Sequence, residues 1–216
     1  MIALERVFTD PTRAVPLNNG VPGKDVRPLA TRLWIAPEAP RRASACGGPR
    51  CALILLAHGF GGSTARFEKI GRTLAAAGYV VAAPAFPLTN DRAPGGHLTG
   101  LGDAAEQPRD LSFVVDALVD LPAGDLVGDR IDRARIGAVG HSLGGATVLG
   151  ATRRPCCRDE RITVTVLVAP IAALTQGLFG GPPEAQGPPV LVLNGALDPL
   201  VTPALGRDLL SRVEAP

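Results

Sequence analysis

The residues whose types and spacing could do chemistry begin at Gly140-His141-Ser142-Leu143-Gly144, followed by Gly145. In a G-x-S-x-G stretch entered from a strand and left through a helix, the serine sits on a tight turn that lifts its hydroxyl clear of the sheet edge. Residues 135–139 (RIGAV) read as that strand and residues 143–153 as that helix. Side chains in place of Gly140 and Gly144 would collide with neighbouring backbone. The helix N-terminus behind the serine favours negative charge developing beside it. Together these features serve nucleophilic attack by Ser142 on an acyl carbon. The competing reading is an ordinary turn in a chain with 26 glycines. The flanking strand and helix favour the nucleophile.

Two further stretches fit the same chemistry. His58-Gly59-Phe60-Gly61-Gly62-Ser63 directly follows the apolar run 52–57 (ALILLA). Acyl transfer creates an oxyanion, and a preorganised backbone N–H aimed at it is worth about 3–4 kcal/mol. The N–H groups of Phe60 and Leu143 are the two candidates, because glycines on either side of Phe60 let that loop approach a substrate closely. The plainer reading, compatible with the first, is a strand-to-helix turn with Ser63 or Thr64 as the helix cap. The third stretch, Asn194-Gly195-Ala196-Leu197-Asp198-Pro199, follows residues 189–193 (PVLVL). A carboxylate at Asp198 would orient a histidine and stabilise its imidazolium. The alternative is that Asp198 only caps a turn ahead of Pro199.

The elements that must position these residues alternate along the chain. Residues 29–35, 52–57, 79–83, 135–139, 163–168 and 189–193 read as strands. The continuous apolar run 52–57 is what a central parallel strand covered on both faces requires. Residues 65–77, 108–121, 143–153 and 203–213 read as helices. In the first, Phe67, Ile70, Leu74 and Ala77 repeat at helical spacing, and Pro108 suits the first turn of the second. Strand–helix alternation predicts an α/β domain with a mostly parallel sheet and helices on both faces. Residues 84–107 form one long connection rich in Pro and Gly, and a loop of that length in a compact domain usually carries function or disorder.

Composition limits the alternatives. The 216 residues make one domain, 1–216, with 46% hydrophobic and 19% charged residues, a globular balance. A net charge of +2 points to neither nucleic acid nor an anionic membrane as partner. No apolar run reaches the ~20 residues of an integral membrane segment. Residues 1–10 contain Glu5 and Asp10 and are no signal peptide, so the chain as written reads as cytoplasmic, or secreted if its N-terminus is incomplete. No Cys/His spacing suits zinc, so no metal is expected. Cys46 and Cys51 flank a short loop, open to a disulfide in an exported protein and otherwise to reduced surface thiols. The adjacent Cys156 and Cys157 are expected to be free, or one of them paired outside the chain.

The serine, oxyanion and acid motifs, in that order, resemble the α/β-hydrolase fold family. The nearest resemblance is to bacterial dienelactone-hydrolase-like, platelet-activating-factor-acetylhydrolase-like and cutinase-like esterases. It spans nearly the whole chain, including Arg27-Pro28-Leu29, Phe86-Pro87-Leu88-Thr89, Gln107-Pro108-Arg109-Asp110 and Cys156-Cys157-Arg158-Asp159. It implies a serine carboxylic-ester hydrolase with Ser142 and Asp198 as catalytic residues, Phe60 and Leu143 as the oxyanion hole, and no cofactor. The substrate implied is a small-molecule or polymer ester, with short acyl or polyester chains favoured by the absence of a lid domain. The family places its histidine after one more strand, whereas here His58, His97 and His141 all precede Asp198. The last strand and helix are therefore expected to be missing. His58 is expected to be structural, His141 to point away from Ser142, and His97 to lack anything that orients it. Alternatives are an acyltransferase, or a catalytically dead hydrolase-fold fragment or binding protein. The sequence does not set the oligomeric state.

Overall fold

The central strands form where the sequence is apolar on both faces, and the most apolar run, residues 52–57, lies at the centre of the sheet. The computed structural model describes residues 1–37, 45–47, 49–97, 101 and 103–213. These form one sheet whose strands are β1 (Ile2–Asp10), β2 (Arg27–Ile35), β3 (Cys46–Gly47), β4 (Arg50–Ala57), β5 (Val80–Pro84), β6 (Ile131–His141), β7 (Ile162–Val168) and β8 (Val190–Leu193). The order is β1-β2-β5-β4-β6-β7-β8, with β3 hairpinned onto β4. Strands β5, β4, β6, β7 and β8 run parallel; β1 and β2 add an antiparallel flank. In β4, Leu53, Leu55 and Leu56 are wholly buried, as a central strand covered on both sides demands.

Helices α1 (Glu68–Ala76), α2 (Gln107–Val119), α3 (Leu143–Arg153), α4 (Leu174–Phe179) and α5 (Pro203–Val213) cover the sheet. The larger core lies on one face, where Leu111, Val114, Val115 and Leu118 of α2 and Val148 and Leu149 of α3 pack with Leu33, Leu53 and Leu55. On the other face Trp34, Leu56, Val81 and Ala83 meet Ala75 of α1. The Trp34 indole lies so close to Gly71 that a Cβ there would come within 2.6 Å of the ring, so α1 can settle only with glycine at that point. Alternation along β7 and β8 turns Val190 and Val192 toward the larger core. Val164, Leu191 and Leu193 face the other way and are 45%, 53% and 47% exposed.

Boundaries deviate from the sequence reading at the edges. β1 was not anticipated: an edge strand with Glu5, Arg6 and exposed Val7 lacks an apolar run. The six-residue α4 is too short to show a helical period. Part of the long connection, residues 98–100 and 102, lies outside the described residues.

The cysteines correct one expectation. Cys156 and Cys157 are bonded to each other instead of free. The reason is local: after α3 the chain turns at residues 155–157, with the Cys157 N–H donating to Arg154 O at 3.1 Å, and the turn brings the two sulfurs together. Cys46 and Cys51 also bond, as opposite residues of the β3–β4 hairpin.

Candidate active site

Ser142 joins β6 to α3 with φ 55° and ψ −117°, a left-handed conformation that a non-glycine residue adopts only when its surroundings enforce it. Such backbone strain costs of order 1–3 kcal/mol. Three backbone hydrogen bonds hold it. The Ser142 N–H donates to Val168 O at 3.0 Å, and Ser142 O accepts from the N–H groups of Gly145 at 2.9 Å and Ile171 at 3.3 Å. Two glycines make room for the turn. A Cβ on Gly140 would strike Gly144 O and lie 2.7 Å from Gly145 Cα; one on Gly144 would strike Ala57 O and lie 2.8 Å from His58 O. The steric expectation for both positions therefore holds.

The loop after β4 closes over this turn. A Cβ on Gly59 would sit 3.0 Å from the Ser142 Cβ, a tight contact that glycine avoids where the loop crosses the serine. Beyond Phe60 the loop is pinned by Gly61 N–H to Thr89 O at 2.8 Å, Gly62 N–H to Gly59 O at 2.9 Å, and Asp91 N–H to Gly62 O at 2.8 Å. Among the described residues no backbone carbonyl accepts the Phe60 N–H. Leu143 is the first residue of α3, so its N–H has no partner within the helix.

His58 is buried and both ring nitrogens are occupied. Its Nδ1 donates to Gly59 O at 2.8 Å, and its Nε2 accepts the Phe86 N–H at 3.0 Å. Burial pushes its pKa down, outweighing the bond to Gly59 and the more distant Asp91, and the ring stays neutral. It ties the oxyanion-loop candidate to the end of β5, the structural role expected of it. His141 is exposed at the end of β6, with Nδ1 3.2 Å from the position of a Gly59 Cβ. His97 departs from expectation. Its ring lies edge-on to Phe60 at 5.5 Å between centroids, and its Nε2 would be 2.7 Å from a Cβ on Gly61. The long loop thus delivers His97 onto the Phe60 loop, and the absence of a side chain at Gly61 is what admits it.

Asp198 lies in the turn after β8. Its Oδ1 accepts the N–H groups of Leu200 at 2.9 Å and Val201 at 3.0 Å. These bonds hold the carboxyl below its ordinary pKa against a small opposing effect of desolvation, and the charge of His141 acts in the same direction. The capping reading of Asp198 is therefore real. It leaves Oδ2 without a partner among the described residues, so the turn consumes one carboxylate oxygen and presents the other.

Motif reading missed the polar side chains beneath the site. Arg27 is wholly buried and donates through Nε and Nη2 to the two oxygens of Asp110, each at 2.6 Å, and through Nη2 to Asp103 at 3.0 Å. Arg13 adds a bond to Asp110 at 2.8 Å, and Asp103 accepts the Leu88 N–H at 3.1 Å. Burial raises the Asp103 pKa despite Arg27, and the nearby Asp110 adds to that rise. This cluster fastens both ends of the long loop to β2 and α2. Arg27 and Asp110 lie in stretches that carry the family resemblance, but their pairing with each other and with Asp103 had no signal in the sequence, where such polar residues look like surface.

Two clefts open on the described surface. One of about 450 Å³ runs between the turn after β7 and α5, lined by Ile171, Ala172, Leu200, Val201, Leu205 and Leu209 among others. A larger one, about 740 Å³, lies over β1 and β2 and includes Ser63, Thr64 and Pro87 but not Ser142. The smaller cleft is the more relevant, because Ile171 bonds to Ser142 and Leu200 and Val201 bond to Asp198. Among the described residues no group of three or more His, Cys, Asp or Glu side chains is placed to hold a metal ion. No helix among them is long and apolar enough to cross a membrane.

A model of the alpha/beta hydrolase family matches residues 54–215, more than half of the chain, from β4 through α5. The chain belongs to the alpha/beta hydrolase family. Solved structures share this hydrolase's fold at low identity. A ferulic acid esterase from Streptomyces cinnamoneus is 23% identical with a TM-score of 0.70, over 98% of this chain and 70% of that one. An esterase from Thermogutta terrifontis is 17% identical with a TM-score of 0.60, over 86% and 72%. A puromycin-hydrolyzing peptidase from Mycobacterium tuberculosis is 20% identical with a TM-score of 0.62, over 87% of this chain and 32% of that one. No curated protein matches this chain in sequence.

Proposed function

We propose that this hydrolase is a serine carboxylic-ester hydrolase working through an acyl-enzyme. The observation that carries the reading is the left-handed backbone of Ser142 beneath Gly59, a strained turn sustained by two obligatory glycines. Family membership and the esterases among the structural neighbours support the same chemistry.

In this reading the Ser142 hydroxyl attacks the ester carbonyl carbon and its proton passes to a histidine imidazole. The carbonyl oxygen, now an oxyanion, takes hydrogen bonds from the N–H groups of Phe60 and Leu143. The imidazolium returns the proton to the departing alkoxide. Water, activated by the same imidazole, then releases the carboxylic acid and restores Ser142. Asp198 orients the imidazole through its unpartnered oxygen. The imidazole is not that of His58, whose two nitrogens both bond to backbone, and among the described residues no hydrogen bond joins His97 or His141 to Ser142 or Asp198. The apolar 450 Å³ cleft beside Ile171 and Leu200 suits short acyl or polyester-type esters, as in the cutinase-like and dienelactone-hydrolase-like resemblance.

The test is hydrolysis of p-nitrophenyl butyrate by the chain and by Ser142→Ala, each with and without added imidazole. Expected is imidazole-stimulated turnover in the parent above the rate that imidazole alone gives with this ester, and no such excess in the variant, because the added base accepts the Ser142 proton. Equal rates in parent and variant under all conditions would overturn the proposal.

A further inference from the structure

The two N–H groups assigned to the oxyanion lie on separate elements, Phe60 after β4 and Leu143 at the start of α3. Their spacing has to be fixed by something that touches both. A chain of buried polar side chains does so. Thr147, in the second turn of α3, donates from its hydroxyl to Gln107 Oε1 at 2.6 Å and approaches Leu143 O at 3.2 Å. Gln107 Nε2 donates to Thr89 Oγ1 at 2.7 Å. The backbone carbonyl of Thr89 accepts the Gly61 N–H at 2.8 Å, and Asn90 next to it forms a bridge with Gly62. Thr89, Gln107 and Thr147 are all wholly buried.

We infer that Gln107 is a positioning residue, whose side-chain amide sets the distance between the Phe60 loop and the head of α3. This rests on the proposed roles of Ser142, Phe60 and Leu143. The choice of residue follows from hydrogen-bond chemistry. Between a hydroxyl that donates and a hydroxyl that accepts, the bridge must present one acceptor and one donor at fixed separation, which a primary amide does. A fully satisfied buried polar network also admits one arrangement, whereas an apolar contact would tolerate sliding. Misplacement of a catalytic group by about 1 Å can cost on the order of 100-fold in rate, so a tie of this kind matters more to turnover than to folding.

Two variants separate positioning from bulk stability. Gln107→Leu keeps the volume but loses both bonds. Gln107→Glu keeps the shape, and its buried carboxyl will titrate well above the ordinary range. When protonated it offers one donor and one acceptor, as the amide does. When ionised it places a negative charge under the oxyanion site. The first readout is amide hydrogen exchange in Gln107→Leu. Expected is faster exchange at Gly61, by about tenfold or more, with the Leu55 amide of β4 unchanged, because only the local tie opens. The second is the imidazole-supported, Ser142-dependent rate. Expected is a kcat about 10- to 100-fold lower in Gln107→Leu at similar KM. For Gln107→Glu, the rate relative to the parent should be near normal at low pH and fall as pH rises; taking the ratio cancels imidazole's own titration.

Unchanged Gly61 exchange in Gln107→Leu, or equal acceleration at Gly61 and Leu55, would overturn the inference. So would a parent-like kcat in Gln107→Leu when Ser142→Ala is inactive. If instead Ser142→Ala retains the parent's rate, the catalytic reading fails by itself, and the exchange result still decides whether Gln107 holds the loop.

Discussion

The turn that carries Ser142 and the turn that carries Asp198 are built by opposite means. Around Ser142 nearly everything is tertiary. Its backbone is held from β7 and from the turn after β7, and Gly140 and Gly144 exist as glycines because other backbone lies against them. Every residue of α3 behind it is buried. Asp198 sits in a turn closed by its own neighbours, the N–H groups of Leu200 and Val201, between Leu197 at 95% exposure and Leu200 at 85%. One member of the proposed site is fixed by the whole molecule and the other by its own turn. Substitution near Ser142 should therefore be paid for in folding, and substitution at Asp198 almost wholly in chemistry.

The largest expected effect breaks the crowded side of that contrast. Gly140→Ala or Gly144→Ala forces a methyl group into backbone that cannot retreat like the tip of a side chain. A loss of about 3 kcal/mol or more is expected, read as a shift of the urea midpoint. Wild-type stability in both variants would show that the turn is looser than described.

A smaller effect sharpens the comparison at the other turn. Asp198→Asn keeps an oxygen for the Leu200 and Val201 amides, so stability should change by less than about 0.5 kcal/mol. Its effect belongs to the orientation of a bound imidazole, and it should lower imidazole-supported turnover while the denaturation curve stays in place. A large loss of stability would mean that Asp198 is structural.

The smallest effect is spread over the periphery and depends on pH. Burial pushes the Asp159 carboxyl up, but hydrogen bonds and charge from Arg161 overcome this and hold it below its ordinary value of 3.8. Asp125 behaves likewise against Arg6. Groups with lowered pKa values stabilise the fold fully above their unfolded value, and that stabilisation is lost as pH falls through the folded value. Asp103 is raised, so its sign is reversed: stability declines as pH rises through its folded value. A melting temperature that falls below about pH 4 is expected, and Asp159→Asn should reduce that fall. An acid limb unaltered by Asp159→Asn would remove this pair from the explanation.

What the sequence revealed follows from where free energy is concentrated. Strand β4 was legible because its run is buried on both faces, and the serine turn because glycine, serine and helix start coincide in a few residues. The helix α3 carries no polar face, so its existence was legible through that motif and not through amphipathicity. β1 was hidden by its polar edge, and the Cys156–Cys157 bond by a turn that spacing alone does not specify. The bridge through Thr89, Gln107 and Thr147 was invisible for a general reason: buried polar residues have the composition of surface. Only their partners, brought together from three elements, distinguish them. The packing of His97 on Phe60 was hidden for a related reason, since Phe60 and Gly61 become its neighbours only when the long loop folds back.

The most direct measurement is to trap the acyl-enzyme. The chain is incubated with p-nitrophenyl acetate without imidazole, quenched in acid, and mapped by peptide mass spectrometry. An acetyl group on the peptide containing Ser142, absent from Ser142→Ala, is the expected result. Acetylation of other side chains alone, with the Ser142 peptide unmodified, would contradict the assignment of Ser142 as nucleophile.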